Sequence, residues 1–122
     1  MTRLQRLLST AVLAAMTFIS AAACAHARLQ NAVPAAGATL EAAPKEISLQ
    51  FNEKLEAAFS SVKLTDSAGR NVAAAKSHLD PAKPSVLRLE LPALKPGTYG
   101  VHWVVVGQDG HRLKGAYTFT IK

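Results

Sequence analysis

From residue 46 onward, apolar and polar residues repeatedly alternate, with the two-residue period of a half-buried β-strand. Glu46 to Asn52 places Ile47, Leu49 and Phe51 on one face. Ser61 to Thr65 alternates again and stops at Asp66-Ser67-Ala68-Gly69, a turn sequence. Val86 to Leu91 repeats the pattern until Pro92 and Lys95-Pro96-Gly97 end it. Tyr99 to Val106 and Gly115 to Ile121 follow, and Leu29 to Val33 supplies a first strand. Only Leu55 to Phe59 suits a helical turn.

The run from Tyr99 to Val106 reads as the spine of the core. Tyr99, Val101, Trp103 and Val105 share one face, and His102, Val104 and Val106 share the other. Valine on both faces predicts a central strand covered on both sides, with Trp103 packed inside. Seven or so short strands at this spacing predict an all-β domain, a small antiparallel sandwich or a Greek-key barrel.

The first 25 residues have a different pattern, that of a secretory signal. Arg3 and Arg6 form a basic start, Leu7 to about Ile19 an apolar stretch, and Ala23-Cys24-Ala25 a small-residue cleavage site. The apolar stretch falls short of the ~20 residues that span a bilayer. Cleavage after Ala25 gives an exported domain of residues 26–122. Cys24 offers a competing outcome, lipid attachment, which would leave His26 internal.

Twelve Lys and Arg against eight Asp and Glu remain after that cut, a formal net charge of +4. The charges are scattered singly, without the basic stripe and stacking aromatics of a nucleic-acid binder. A solvated, mixed surface and a monomer are expected. Both methionines and the sole cysteine lie in the first 25 residues, so 26–122 contains no sulfur. The soft thiolate and thioether ligands that select Cu(I) are therefore absent, and a metal site must be built from nitrogen and oxygen.

Two places supply such donors. A chain starting at His26 carries an α-amine and an imidazole Nδ1 that together close a six-membered chelate ring. Asp109-Gly110-His111 sets a carboxylate and a second imidazole two residues apart. That pair can chelate an ion or, equally, the aspartate can orient the histidine through a hydrogen bond. Taken together, His26, Asp109 and His111 make the nitrogen-rich tetragonal set that favours one Cu(II) ion. An α-amine titrates near ~8 and an imidazole near ~6.5, so binding displaces protons and weakens as pH falls. Glu53, at the end of the Phe51-bearing strand, is a candidate neighbour of the site. His78 reads as a surface residue and His102 as a structural one.

These residues also form a joint pattern. Pro96-Gly97-Thr98-Tyr99-x-Val101-x-Trp103, followed by Asp109-Gly110-His111, Gly115 and Phe119, resembles the C-terminal signature of the CopC family of periplasmic copper-binding proteins. His26-Ala27-x-Leu29 with Pro34 and Gly37 is similar to that family's N-terminus, and Phe51-Asn52-Glu53-x-Leu55 to its second-strand motif. Gly107 and Arg112 stand where serine and proline are common. The resemblance implies a Greek-key β-sandwich and Cu(II) held by His26, Asp109 and His111, with Glu53 nearby. It also implies copper homeostasis or resistance, and an inner-membrane copper transporter of the CopD type as partner. The Cu(I) chemistry of members with a methionine-rich loop does not transfer to a domain without methionine.

The expected function is thus a non-enzymatic protein that sequesters or hands on Cu(II). Two alternatives are a copper-dependent oxidative enzyme, whose clasp also uses a first-position histidine, and a metal-free immunoglobulin-like interaction module.

Overall fold

The alternating runs fold into eight strands in two four-stranded sheets. The structure, a computed structural model, describes residues 27–122, so the leader and His26 lie outside the described residues. The strands are β1 Leu29–Val33, β2 Thr39–Leu40, β3 Glu46–Phe51, β4 Ser61–Thr65, β5 His78–Asp80, β6 Lys83–Glu90, β7 Gly97–Val106 and β8 Arg112–Ile121. One sheet has the order β1-β3-β6-β5 and the other β2-β8-β7-β4. All pairs are antiparallel except β2 with β8. The chain passes back and forth between the sheets before closing with the β5–β6 and β7–β8 hairpins, which makes a β-sandwich.

The count is eight where seven were expected. The two-residue β2 and three-residue β5 are too short for alternation to register, and pairing alone defines them. The expected helical turn is present as a single 3₁₀ turn, Ala57–Phe59. Among the described residues, no helix is long and apolar enough to cross a membrane.

The inward faces supply the core. Ile47, Leu49 and Phe51 from β3 and Leu87 and Leu89 from β6 meet Val62, Leu64, Val101, Val105 and Phe119 from the other sheet. Each such side chain contributes about 1.5–3 kcal/mol through its burial. Tyr99 stacks on Phe119 with ring centroids 5.7 Å apart, and its hydroxyl donates to the Lys95 carbonyl at 2.7 Å. That bond pins the loop entering β7.

β7 is central in its sheet, between β8 and β4, but it is not covered on both sides. Val104 and Val106 are half-buried and His102 is exposed. No layer packs over this outer face among the described residues; valine serves there for its strand preference as much as for burial. Trp103 is in the core as expected. Its indole crosses to Gly115, its partner on β8, where an added Cβ would overlap Cζ2 and lie 2.7 Å from Cε2.

Tyr117, half-buried on β8, donates its hydroxyl to the Pro34 carbonyl at 2.7 Å, and burial pushes its phenol up to about 12. The folded chain then holds this proton more tightly than the unfolded chain, whose phenol titrates near ~10. The stabilisation is complete below pH ~10 and lost as pH rises through about 12. Unfolding free energies from urea titrations across this range should fall on the order of 1 kcal/mol further for wild type than for Tyr117→Phe.

Candidate metal centre

One end of the sandwich gathers the predicted donors. β7 and β8 are paired out to Val106 and Arg112, which leaves residues 107–111 to turn the chain. The turn closes by Gly110 N–H donating to the Gly107 carbonyl at 3.0 Å. Gly110 has φ +80°, a left-handed conformation that glycine adopts without steric cost. The Asp109 side chain completes it: Oδ1 accepts the His111 N–H at 3.0 Å, and Oδ2 lies 3.0 Å from His111 Nδ1. Asp109 thereby fixes both the backbone and the ring of His111. The Asp109 carboxylate is largely sheltered, with 21% of the side chain exposed, while the His111 ring is 60% exposed.

The turn rests on the segment after β3. Leu55 bridges Gly107, Glu56 N–H donates to the Val106 carbonyl at 2.8 Å, and Ser60 Oγ accepts the Val106 N–H at 3.1 Å. β3 bends away at Asn52–Glu53, and the Glu53 carboxylate comes to lie over Gly107. A Cβ on Gly107 would overlap Glu53 Oε1 and lie 3.2 Å from Asp109 Oδ1. Glycine at 107 leaves the space that the Glu53 carboxylate occupies beside Asp109. Glu53 Oε1 is buried and accepts no hydrogen bond among the described residues. A sheltered carboxylate oxygen without a donor is costly, and such an atom favours a cation or a strong donor next to it.

The N-terminal segment is brought to the same end by Asn52. Its N–H donates to the Arg28 carbonyl at 3.0 Å, and its Oδ1 accepts the Arg28 N–H at 2.6 Å. Where β3 bends off, the side-chain amide oxygen takes the place of a ladder carbonyl and carries the pairing one residue further. Ala27 is buried, 1% exposed, as the first described residue of the core. The chain is therefore anchored on both sides of the Ala27–Arg28 bond, one residue from His26.

Of the predicted residues, the structure brings Asp109, His111 and Glu53 together, and His26 lies outside the described residues. Among the described residues no group of three or more His, Cys, Asp and Glu side chains is arranged to hold a metal ion. His78 is exposed on β5 opposite Arg88, and His102 lies ~15 Å up β7 from the turn. His102 Nε2 is 3.0 Å from Thr65 Oγ1, so it is hydrogen-bonded as expected of a structural histidine, though on the exposed face. Sequence reasoning missed Asn52 as an anchor and Gly107 as a space-maker. An Asn closing a strand is the one local signal that pointed to the first.

Residues 29–122 match the family model of the CopC domain. The chain is 44% identical over 100 residues to Protein YobA of Escherichia coli strain K12, covering 80% of each protein. Its structure is similar to that of CopC from Methylosinus trichosporium OB3b, with a TM-score of 0.75 and 36% identity, covering 80% of this chain and 94% of that one. PcoC, a methionine-rich copper resistance protein from Escherichia coli, is similar with a TM-score of 0.69 and 38% identity, covering 80% of this chain and all of PcoC. With the model spanning nearly the whole of both sheets, the chain belongs to the CopC-domain family.

Proposed function

We propose that this protein is exported, is cut after Ala25, and binds one Cu(II) ion as cargo through His26, Asp109 and His111 for sequestration or hand-on in the periplasm. The observation that carries the reading is the 3.0 Å separation of His111 Nδ1 and Asp109 Oδ2 on a hydrogen-bonded turn, beside a buried glutamate oxygen that has no partner among the described residues. Bonds of ~2.0–2.1 Å at right angles put neighbouring donors ~2.9 Å apart, so this pair suits one edge of a tetragonal site. The ion can occupy that edge, or it can take His111 Nε2 while Asp109 keeps orienting the ring.

The remaining donors are the amine and ring of His26, delivered by the Asn52–Arg28 anchor. With no sulfur in 26–122, the donor set is nitrogen and oxygen, which suits Cu(II) over Cu(I). The copper-related names of its relatives agree with this assignment. Glu53 supplies negative charge beside the ion from a buried position. Nothing in the mechanism requires turnover: the site holds the ion and releases it to a stronger chelator.

Copper titration of the protein starting at His26, followed by electron paramagnetic resonance, tests the reading. One axial Cu(II) signal with nitrogen hyperfine structure, saturating at one equivalent, is the expected result. Substoichiometric uptake, or a spectrum unchanged by His111→Ala, overturns it.

Asn52 gives a further check. Asn52→Ala should weaken Cu(II) affinity about tenfold, as loss of a group orienting a ligand does. Asn52→Asp, which keeps an acceptor for the Arg28 N–H, should restore most of it. Equal affinities in the three proteins would show that the anchor does not position the ligand.

A further inference from the structure

The outer face of the β2-β8-β7-β4 sheet has an uneven chemistry. β4, β7 and β8 contain no aspartate or glutamate, while Lys63, His102, Arg112 and Lys114 alternate with the inward residues and point away from the core. Acidic residues gather instead on the outside of the opposite sheet, where Glu46 and Asp80 engage Arg88 at 2.8 and 2.9 Å and Glu90 is exposed. Of charged side chains, β4, β7 and β8 thus carry only basic ones outward, whereas the opposite sheet carries both signs, with Arg88 offsetting Glu46 and Asp80.

A groove with both apolar and polar walls runs along the basic face. Phe59 is 67% exposed, the most exposed large hydrophobic among the described residues. It forms one wall of a groove of about 510 Å³ with Val104 and Val106 along the strand side and Ser61, Lys63 and Arg112 around them. Val106 and Arg112 are the last pair before the 107–111 turn, so the groove lies at the end of the sheet from which that turn leaves.

We propose that this groove docks an acidic segment of another protein, with an apolar side chain against Phe59, Val104 and Val106 and carboxylates on Lys63 and Arg112. Arg112 is suited to the role because its planar guanidinium binds a carboxylate through two parallel hydrogen bonds. A second copy of this chain fits poorly. On its opposite sheet Glu46 and Asp80 are already engaged by Arg88, which leaves few carboxylates there to meet Lys63 and Arg112. An anionic membrane is the weaker fit, because polybasic lipid-binding sites usually gather four to eight cations and this groove has two at its rim. The inference rests on the copper reading for its purpose: a partner seated here lies at the end of the sheet that carries the turn that would surrender the ion.

The probe is a capped pentapeptide with four acidic residues around a central leucine, titrated into ¹⁵N-labelled protein that begins at His26. Amide shifts should move at Lys63, Val104, Val106 and Arg112, and binding should weaken as salt is raised. Lys63→Glu and Phe59→Ser should each weaken binding at least tenfold while leaving the Cu(II) resonance spectrum unchanged. Shifts elsewhere, or variants that bind the peptide as wild type does, overturn the proposal. So does Lys63-dependent binding to phosphatidylglycerol vesicles with no peptide binding, or Lys63-dependent self-association. The copper titration is read separately. A wild type that binds no Cu(II) overturns the copper reading, and the peptide arm alone then decides the groove.

Discussion

Adding one residue ahead of His26 should lower Cu(II) affinity by at least ~100-fold, more than the loss of an orienting group costs. The reason is a change of chemistry at one atom. A free α-amine can bind a metal once it loses a proton, whereas the same nitrogen in a peptide bond is a poor donor at neutral pH. The insertion also opens the six-membered ring that couples the amine to Nδ1, so two contacts suffer for one change. The fold should be untouched, because the alteration lies outside the core that starts at Ala27. His111→Ala would remove the second imidazole donor of the proposed site and should cost a comparable factor. Competition against a chelator of known affinity, on proteins checked by mass for their first residue, measures both. If the extended protein binds Cu(II) as tightly as the one starting at His26, the amine is not a ligand.

Gly115→Ala should be the most damaging single methyl in the domain. The added Cβ would overlap Trp103 Cζ2 and lie 2.9 Å from Cη2, and the indole has little freedom to give way. It is held edge-on against Phe51, with centroids 6.4 Å apart, and tilted against Tyr117 at 5.9 Å. Overpacking of this kind costs about 2–3 kcal/mol, which in a domain of this size lowers Tm by ~10–20 °C. Trp103 is the chain's single tryptophan, so its fluorescence reports the displacement directly. A Tm within 2 or 3 °C of wild type, with the emission spectrum unchanged, would mean that the sheet relaxes around the methyl and that Gly115 is not required for the indole.

Glycine at 115, near the start of β8, and glycine at 107, in the turn before it, do the same job. Each leaves room for one large or charged side chain from a partner strand or segment, Trp103 in one case and Glu53 in the other. Neither role was visible in the chain itself, because a glycine in a strand or turn does not say which side chain will lie over it. Val104 and Val106 misled for a related reason. Their β-branched side chains announce a strand, but whether a second layer covers them depends on elements elsewhere in the chain.

What the amino-acid sequence determined by itself is local or compositional. Alternation settled which residues of β3, β4, β6, β7 and β8 face inward, since a strand's side-chain direction follows from its two-residue period. The absence of sulfur after residue 24 confined the donor set to nitrogen and oxygen. Asp109 and His111 are two residues apart, so a tight turn was enough to join them. Tertiary structure decided everything that required distant segments to meet. Asn52 reaches Arg28 across 24 residues, and Glu53 reaches Gly107 across more than twice that span. Those contacts exist because β3 lies next to β1 and then bends toward the β7–β8 turn, a matter of strand order and not of any local pattern. Sheet order likewise gathered Lys63, Arg112 and Lys114 on one face, because charges scattered singly along the chain acquire a side only when the strands are laid down.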